Sequence, residues 1–188
     1  IGVGLVGSEM CIRDSLDINM VPERTNNVKV IILFDVGGSM DPFIKLCEEL
    51  FSAVKTEFKH LKYYYFHNCV YESVWKDNRR RTKERYEIND IINKYSSDYK
   101  LIFVGDATMA PYEITNAGGS IEHWNEEPGG VWIKRLCSHF TSVAWLNPIQ
   151  DDHWDYTSSV CILRDLVEKR MFPLTLKGLE DAMSNLSK

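Results

Sequence analysis

The run 28–36, VKVIILFDV, constrains the fold more than any other segment. Only Lys29 and Asp35 interrupt it, and β-branched residues dominate. A stretch this apolar, with no two-residue alternation, fits a strand buried on both faces of a parallel sheet. Gly37-Gly38-Ser39-Met40 comes next, and then Asp41-Pro42, a helix cap beside a proline suited to a first turn. Phe43, Leu46, Cys47, Leu50, Phe51, Val54 and Phe58 recur at helical spacing and give one apolar face. The segment reads as strand, Gly-Gly loop and helix.

The rest of the chain repeats that alternation. Residues 62–67 (KYYYFH) predict a strand. Residues 70–75 predict another, paired with it as a hairpin across Asn68-Cys69. Residues 77–85 (DNRRRTKER) form a charged loop, and 88–95 a short helix. Residues 100–104 (KLIFV) are a buried strand ending in Gly105-Asp106, and 107–130 a long connection of the kind that is uncommon unless functional. A helix over 131–140, a strand over 142–146 (SVAWL), a helix over 158–169 and a last helix with Leu179, Ala182, Met183 and Leu186 on its apolar face complete the pattern. Strands alternating with helices predict an α/β fold with a mostly parallel sheet, in which ligands bind beyond the carboxyl ends of the strands.

Composition bounds the function. The chain has 188 residues, 44% of them hydrophobic, enough for one packed domain. Lys plus Arg number 22 against 27 Asp plus Glu, a net charge of −5, which gives no support to nucleic-acid binding. No apolar run is long enough to cross a membrane. The five cysteines form no C-x-x-C pair, which favours free thiols over a disulfide framework or a zinc site.

Residues 1–15 (IGVGLVGSEMCIRDS) share no periodicity with the rest of the chain and make a poor signal peptide. Residues 5–15 resemble a translated sequencing-adapter sequence. The expectation is a non-native segment over 1–15 and one domain over 16–188, the C-terminal part of a longer protein.

Asp35, Gly37 and Ser39 form D-x-G-x-S directly after the first strand, and Asp106 directly follows a later one. Two carboxylates and a hydroxyl at neighbouring strand ends make a hard, oxygen-lined site of the kind Mg²⁺ takes. Gly37 and Gly38 let the backbone turn tightly and approach the ion. The start of the next helix adds a mildly positive field that favours an anionic group at an open ligand position.

This pattern resembles the metal-ion-dependent adhesion site of the von Willebrand factor A domain family. The segments 34–42 (FDVGGSMDP), 65–68 (YFHN), 104–109 (VGDATM), 145–148 (WLNP) and 171–175 (MFPLT) resemble its CoxE-like bacterial branch, over about residues 16–188. The resemblance implies a three-layer, Rossmann-like fold in which Asp35, Ser39 and Asp106 bind Mg²⁺ or Mn²⁺. Gly37 stands where the family usually has a second serine, so one hydroxyl is missing. The family's second-loop threonine has no clear match: Ile88 falls near its place and Thr82 a few residues early. The resemblance further implies a cytoplasmic protein-binding module. A partner carboxylate completes the metal shell, and the partner is an AAA+ ATPase of the MoxR type acting in maturation of proteins or metal centres.

Other readings stand beside this one. Asp35 and Asp106 could serve a metal-dependent hydrolase, though no nucleophile or base is evident, or could cap their loops in a structural domain with a degenerate site. His67-Asn68-Cys69 suggests a Cys–His nucleophile or simply a strand end. Asp35 as a phosphoaspartate nucleophile lacks the second carboxylate of D-x-D. Gly37-Gly38-Ser39 lacks the spacing of a nucleotide loop. Arg79, Arg80, Arg81, Lys83 and Arg85 form a solvated loop or a patch for an acidic partner. Thr108, Glu113, His123 and Glu126 could form the rim of the site or a partner surface, or belong to a loop packed by its own aromatics. Asp151, Asp152 and His153 read as a solvated turn or a second cation site.

Overall fold

The computed structural model describes residues 26–79 and 84–186. The expected foreign segment 1–15 lies outside the described residues, as do Arg80, Arg81, Thr82 and Lys83.

The long apolar run forms β1 (Asn26–Asp35), at the centre of a seven-stranded sheet. The other strands are β2 (Phe58–Phe66), β3 (Ser73–Trp75), β4 (Arg85–Glu87), β5 (Lys100–Val104), β6 (Ser142–Asn147) and β7 (Met171–Pro173), in the order β4-β3-β2-β1-β5-β6-β7. Strands β2, β1, β5, β6 and β7 run parallel, while β3 and β4 extend the edge antiparallel. The helices are α1 (Ile44–Glu57), α2 (Ile88–Lys94), α3 (Pro111–Thr115), α4 (Gly129–His139), α5 (Ser158–Leu166) and α6 (Leu176–Leu186).

Alternate residues of a strand face opposite sides, and both sides here are apolar. Ile31 and Leu33 of β1, Leu101 and Phe103 of β5 and Trp145 of β6 pack against Ile88, Ile133, Leu136 and Leu163 from α2, α4 and α5. Val30, Ile32 and Phe34, Ile102 and Val104, and Ala144 and Leu146 pack instead against Leu50 and Val54 of α1 and Ala182 and Leu186 of α6. The protein is therefore a three-layer α/β structure with a mostly parallel central sheet, as the alternation of elements implies.

Several local boundaries differ from the sequence reading. The Gly-Gly loop leads into a 3-10 turn, Gly38–Phe43, and α1 starts only at Ile44. Pro42 has no N–H to continue an α-helical ladder, so the backbone keeps the tighter winding through it. Phe58 continues the helical spacing but is the first residue of β2, buried on the α1 and α6 side of the sheet. The expected antiparallel pairing of β2 with β3 forms, but at Tyr65 and Trp75, and across Asn68-Cys69 there is an isolated bridge, His67 to Cys69. Strands β4 and β7, three residues each, carry too little pattern to be read.

Phe103 and Trp145 are fully buried and stacked, with ring centroids 5.0 Å apart. Phe103→Ala should cost about 3–5 kcal/mol of unfolding free energy. Urea denaturation checks this, and a loss under about 1 kcal/mol would show the stack to be incidental.

Candidate functional site

Strands β1 and β5 are neighbours, with Phe34 opposite Val104, so Asp35 and the Gly105-Asp106 turn leave the sheet side by side. Asp35 is 5% exposed and Asp106 3%. The two carboxylates of the sequence constellation thus lie at the carboxyl ends of neighbouring central strands.

Asp35 is held through one oxygen. Its Oδ1 accepts the backbone N–H of Gly37 at 2.8 Å and that of Asn68 at 2.9 Å. Its Oδ2 is buried and has no hydrogen-bond partner. Burial pushes the Asp35 carboxyl up to about 7; the two N–H donors oppose that rise, and the nearby Asp106 and Glu113 add to it. The side chain needs close backbone on both sides. A Cβ on Gly105 would lie 2.9 Å from the Asp35 Cβ, and one on Gly37 would lie 3.2 Å from Oδ1.

The turn after β5 is fixed from β6. The indole Nε1 of Trp145 donates to the Gly105 carbonyl at 2.8 Å, and Asn147 Nδ2 donates to the Asp106 carbonyl at 3.0 Å. Ala107 then adopts φ +59°, a conformation that costs an L-residue about 1–2 kcal/mol. Asp106 Oδ1 accepts the Thr108 N–H at 3.1 Å.

The remaining expected residues differ in their surroundings. Ser39 is exposed in the 3-10 turn, and no hydrogen bond ties its hydroxyl to Asp35 or Asp106. Thr108 and Glu126 are exposed. Glu113 is not on a rim: it is 3% exposed, on α3. There its Oε1 accepts the Ala110 N–H at 3.2 Å, and its Oε2 accepts Asn68 Nδ2 at 3.3 Å. His123 pairs with Glu72, 2.8 Å away, and lies edge-on to Tyr71. The long connection is organised by polar contacts of a buried residue, Asn125, which holds Ser120, Asn116 and Glu127, while Trp124 is 77% exposed.

Other candidates lose ground on geometry. Cys69 is fully buried, and burial pushes its thiol up, away from the thiolate a nucleophile needs. Arg85 lies over the Trp75 ring, 5.4 Å from its centroid, so it is not simply a solvated charge. Asp151, Asp152 and His153 are exposed in a 3-10 turn.

No ion pair joins Asp35, Asp106 or Glu113 to a cationic side chain among the described residues. Nor do three Asp, Glu, His or Cys side chains there stand close enough to hold a metal by themselves. The orphaned Asp35 Oδ2 nonetheless fits a hard cation whose shell is completed by neutral oxygens and water. A cavity of about 250 Å³, lined in part by Asp35, opens between β1, the 3-10 turn and α1, walled by Met40, Ile44 and Phe51 and edged by Asp41 and Glu48. No protein-family model matches the chain, and no curated protein is significantly similar to it.

Asp35 gives stability a pH signature. Folded, it holds its proton up to about pH 7; unfolded, it releases it near 3.8. Its contribution is fully present below the unfolded value and is lost as pH rises through about 7. In EDTA, the wild type should therefore lose stability between about pH 4 and 7 relative to Asp35→Asn, with little further change above that, measured by urea unfolding. Parallel pH curves for the two proteins would contradict this.

Proposed function

We propose that this domain binds a protein partner through a divalent cation held at the Asp35 and Asp106 strand ends. The observation that carries this reading is the buried Asp35 carboxylate with one oxygen unpartnered, beside Asp106 and without a cationic side chain among the described residues to compensate it. Asp35, Ser39 and Asp106 would hold Mg²⁺ or Mn²⁺. A bound ion would supply a positive centre whose shell a partner carboxylate completes. The adjacent cavity gives a neighbouring partner side chain a place beside Met40 and Phe51.

The sequence resemblance to CoxE-like von Willebrand A domains supports the same reading, and the mostly parallel three-layer sheet is consistent with it. On that resemblance, the partner is a cytoplasmic AAA+ ATPase of the MoxR type, and the pair matures other proteins or metal centres. No helix among the described residues is long and apolar enough to cross a membrane.

One feature favours a second reading, a metal-dependent hydrolase: a carboxyl raised to about 7 suits a general base near neutral pH. Turnover of generic phosphate esters that is lost in Asp35→Ala would support that alternative.

Calorimetric titration with Mn²⁺ tests the proposed site. Wild type should give a saturable one-site isotherm, and Asp35→Ala should lose it. Capture of a MoxR-type ATPase should require Mg²⁺ and fail in EDTA. Absence of heat with wild type, or equal heat with Asp35→Ala, would overturn the metal site, and capture unchanged by EDTA would overturn the bridging role.

A further inference from the structure

Gly37 brings no side chain to the site, yet the space beside it is filled. A Cβ built there would lie 2.3 Å from Asn68 Oδ1. The amide oxygen of Asn68, from the loop after β2, thus occupies the volume into which any side chain at position 37 would grow. Asn68 is held close by its own main chain. Its N–H donates to Asp35 Oδ1 at 2.9 Å, and its φ of +55° is one that asparagine tolerates better than most residues.

The orientation of that amide is also fixed. Asn68 Nδ2 donates to Glu113 Oε2 at 3.3 Å. That bond puts the NH₂ group on the Glu113 side and leaves the oxygen beside Gly37. Flipped, the same amide would turn two N–H donors toward the site and repel a cation. Glu113 is itself anchored by the Ala110 N–H at 3.2 Å, so it is a fixed reference for the amide.

Building on the reading of Asp35 as part of a cation site, we propose that Asn68 supplies its side-chain oxygen as a neutral ligand in place of a hydroxyl at position 37. Glu113 is the positioning residue that aims that oxygen. A hard divalent cation accepts amide carbonyl oxygens alongside carboxylates and water. The carboxylates gathered among the described residues are too few to hold an ion alone, so a neutral ligand at this place matters. A side chain at position 37 then competes with Asn68 for this volume and fits only where the amide moves away.

Mn²⁺ affinity measured by calorimetry, with the metal-free melting temperature as a folding control, tests this exchange. Asn68→Gly keeps the backbone N–H bond to Asp35 and suits the positive φ; it should bind Mn²⁺ at least about tenfold more weakly than wild type. Gly37→Ser alone should also weaken binding, because its Cβ meets Asn68 Oδ1. The double variant Gly37→Ser/Asn68→Gly should regain most of the affinity. Glu113→Ala should weaken binding in the wild-type background but not in the double variant, where no amide remains to be aimed; a merely structural role would weaken both equally. Wild-type affinity in Asn68→Gly, or a double variant as weak as Asn68→Gly, would overturn the proposal. Binding lost in Asp35→Ala but unchanged in Asn68→Gly would sink this inference alone, whereas no binding by wild type would sink the cation site with it.

Discussion

Everything at the top of this sheet depends on how the Asp35 carboxylate is buried. Removing an ionised carboxylate from water is costly unless hydrogen bonds or a positive charge replace its solvation. Here two backbone N–H groups serve Oδ1, from Gly37 and Asn68, and nothing among the described residues serves Oδ2. Burial and two neighbouring carboxylates push the acid up to about 7. The group is therefore only half satisfied as the chain folds, and either a proton or a cation relieves it. On the proposed reading, that incomplete state is what would draw an ion to the strand end.

The surrounding structure maintains the arrangement. Glycine at positions 37 and 105 leaves the clearance that Asp35 needs. Trp145 and Asn147 of β6 hold the carbonyls of Gly105 and Asp106, and the turn passes through a positive φ at Ala107 that a free chain would avoid. The stacked Phe103 and Trp145 rings join this turn to the core beneath it. Core packing and site geometry are thus linked through β5 and β6, while the cavity beside α1 leaves open approach from the other side.

The range of each interaction decides how much of this is legible in the sequence. Strands β1, β5 and β6 can be read because burial on both faces leaves a near-continuous apolar run, and the positions of Asp35 and Asp106 are given by the ends of those runs. Strands β4 and β7 are three residues long and owe their form to the neighbours they pair with. Asn68 meets Asp35 across 33 positions and Glu113 across 45, so no local pattern marks either contact. Glu113 lies in a long polar connection and so reads as part of a rim, but α3 turns it inward. The family resemblance marks Gly37 as a missing hydroxyl, and only the folded chain shows Asn68 beside it.

If a divalent cation completes the half-satisfied Asp35 carboxylate, it can be located directly by anomalous X-ray scattering from crystals equilibrated with Mn²⁺. The expected result is one strong anomalous peak within coordination distance of an Asp35 oxygen, between the ends of β1 and β5, and its loss in Asp35→Ala. A map with no peak there at saturating Mn²⁺, or with Mn²⁺ bound only at surface carboxylates such as Asp151 and Asp152, would contradict it.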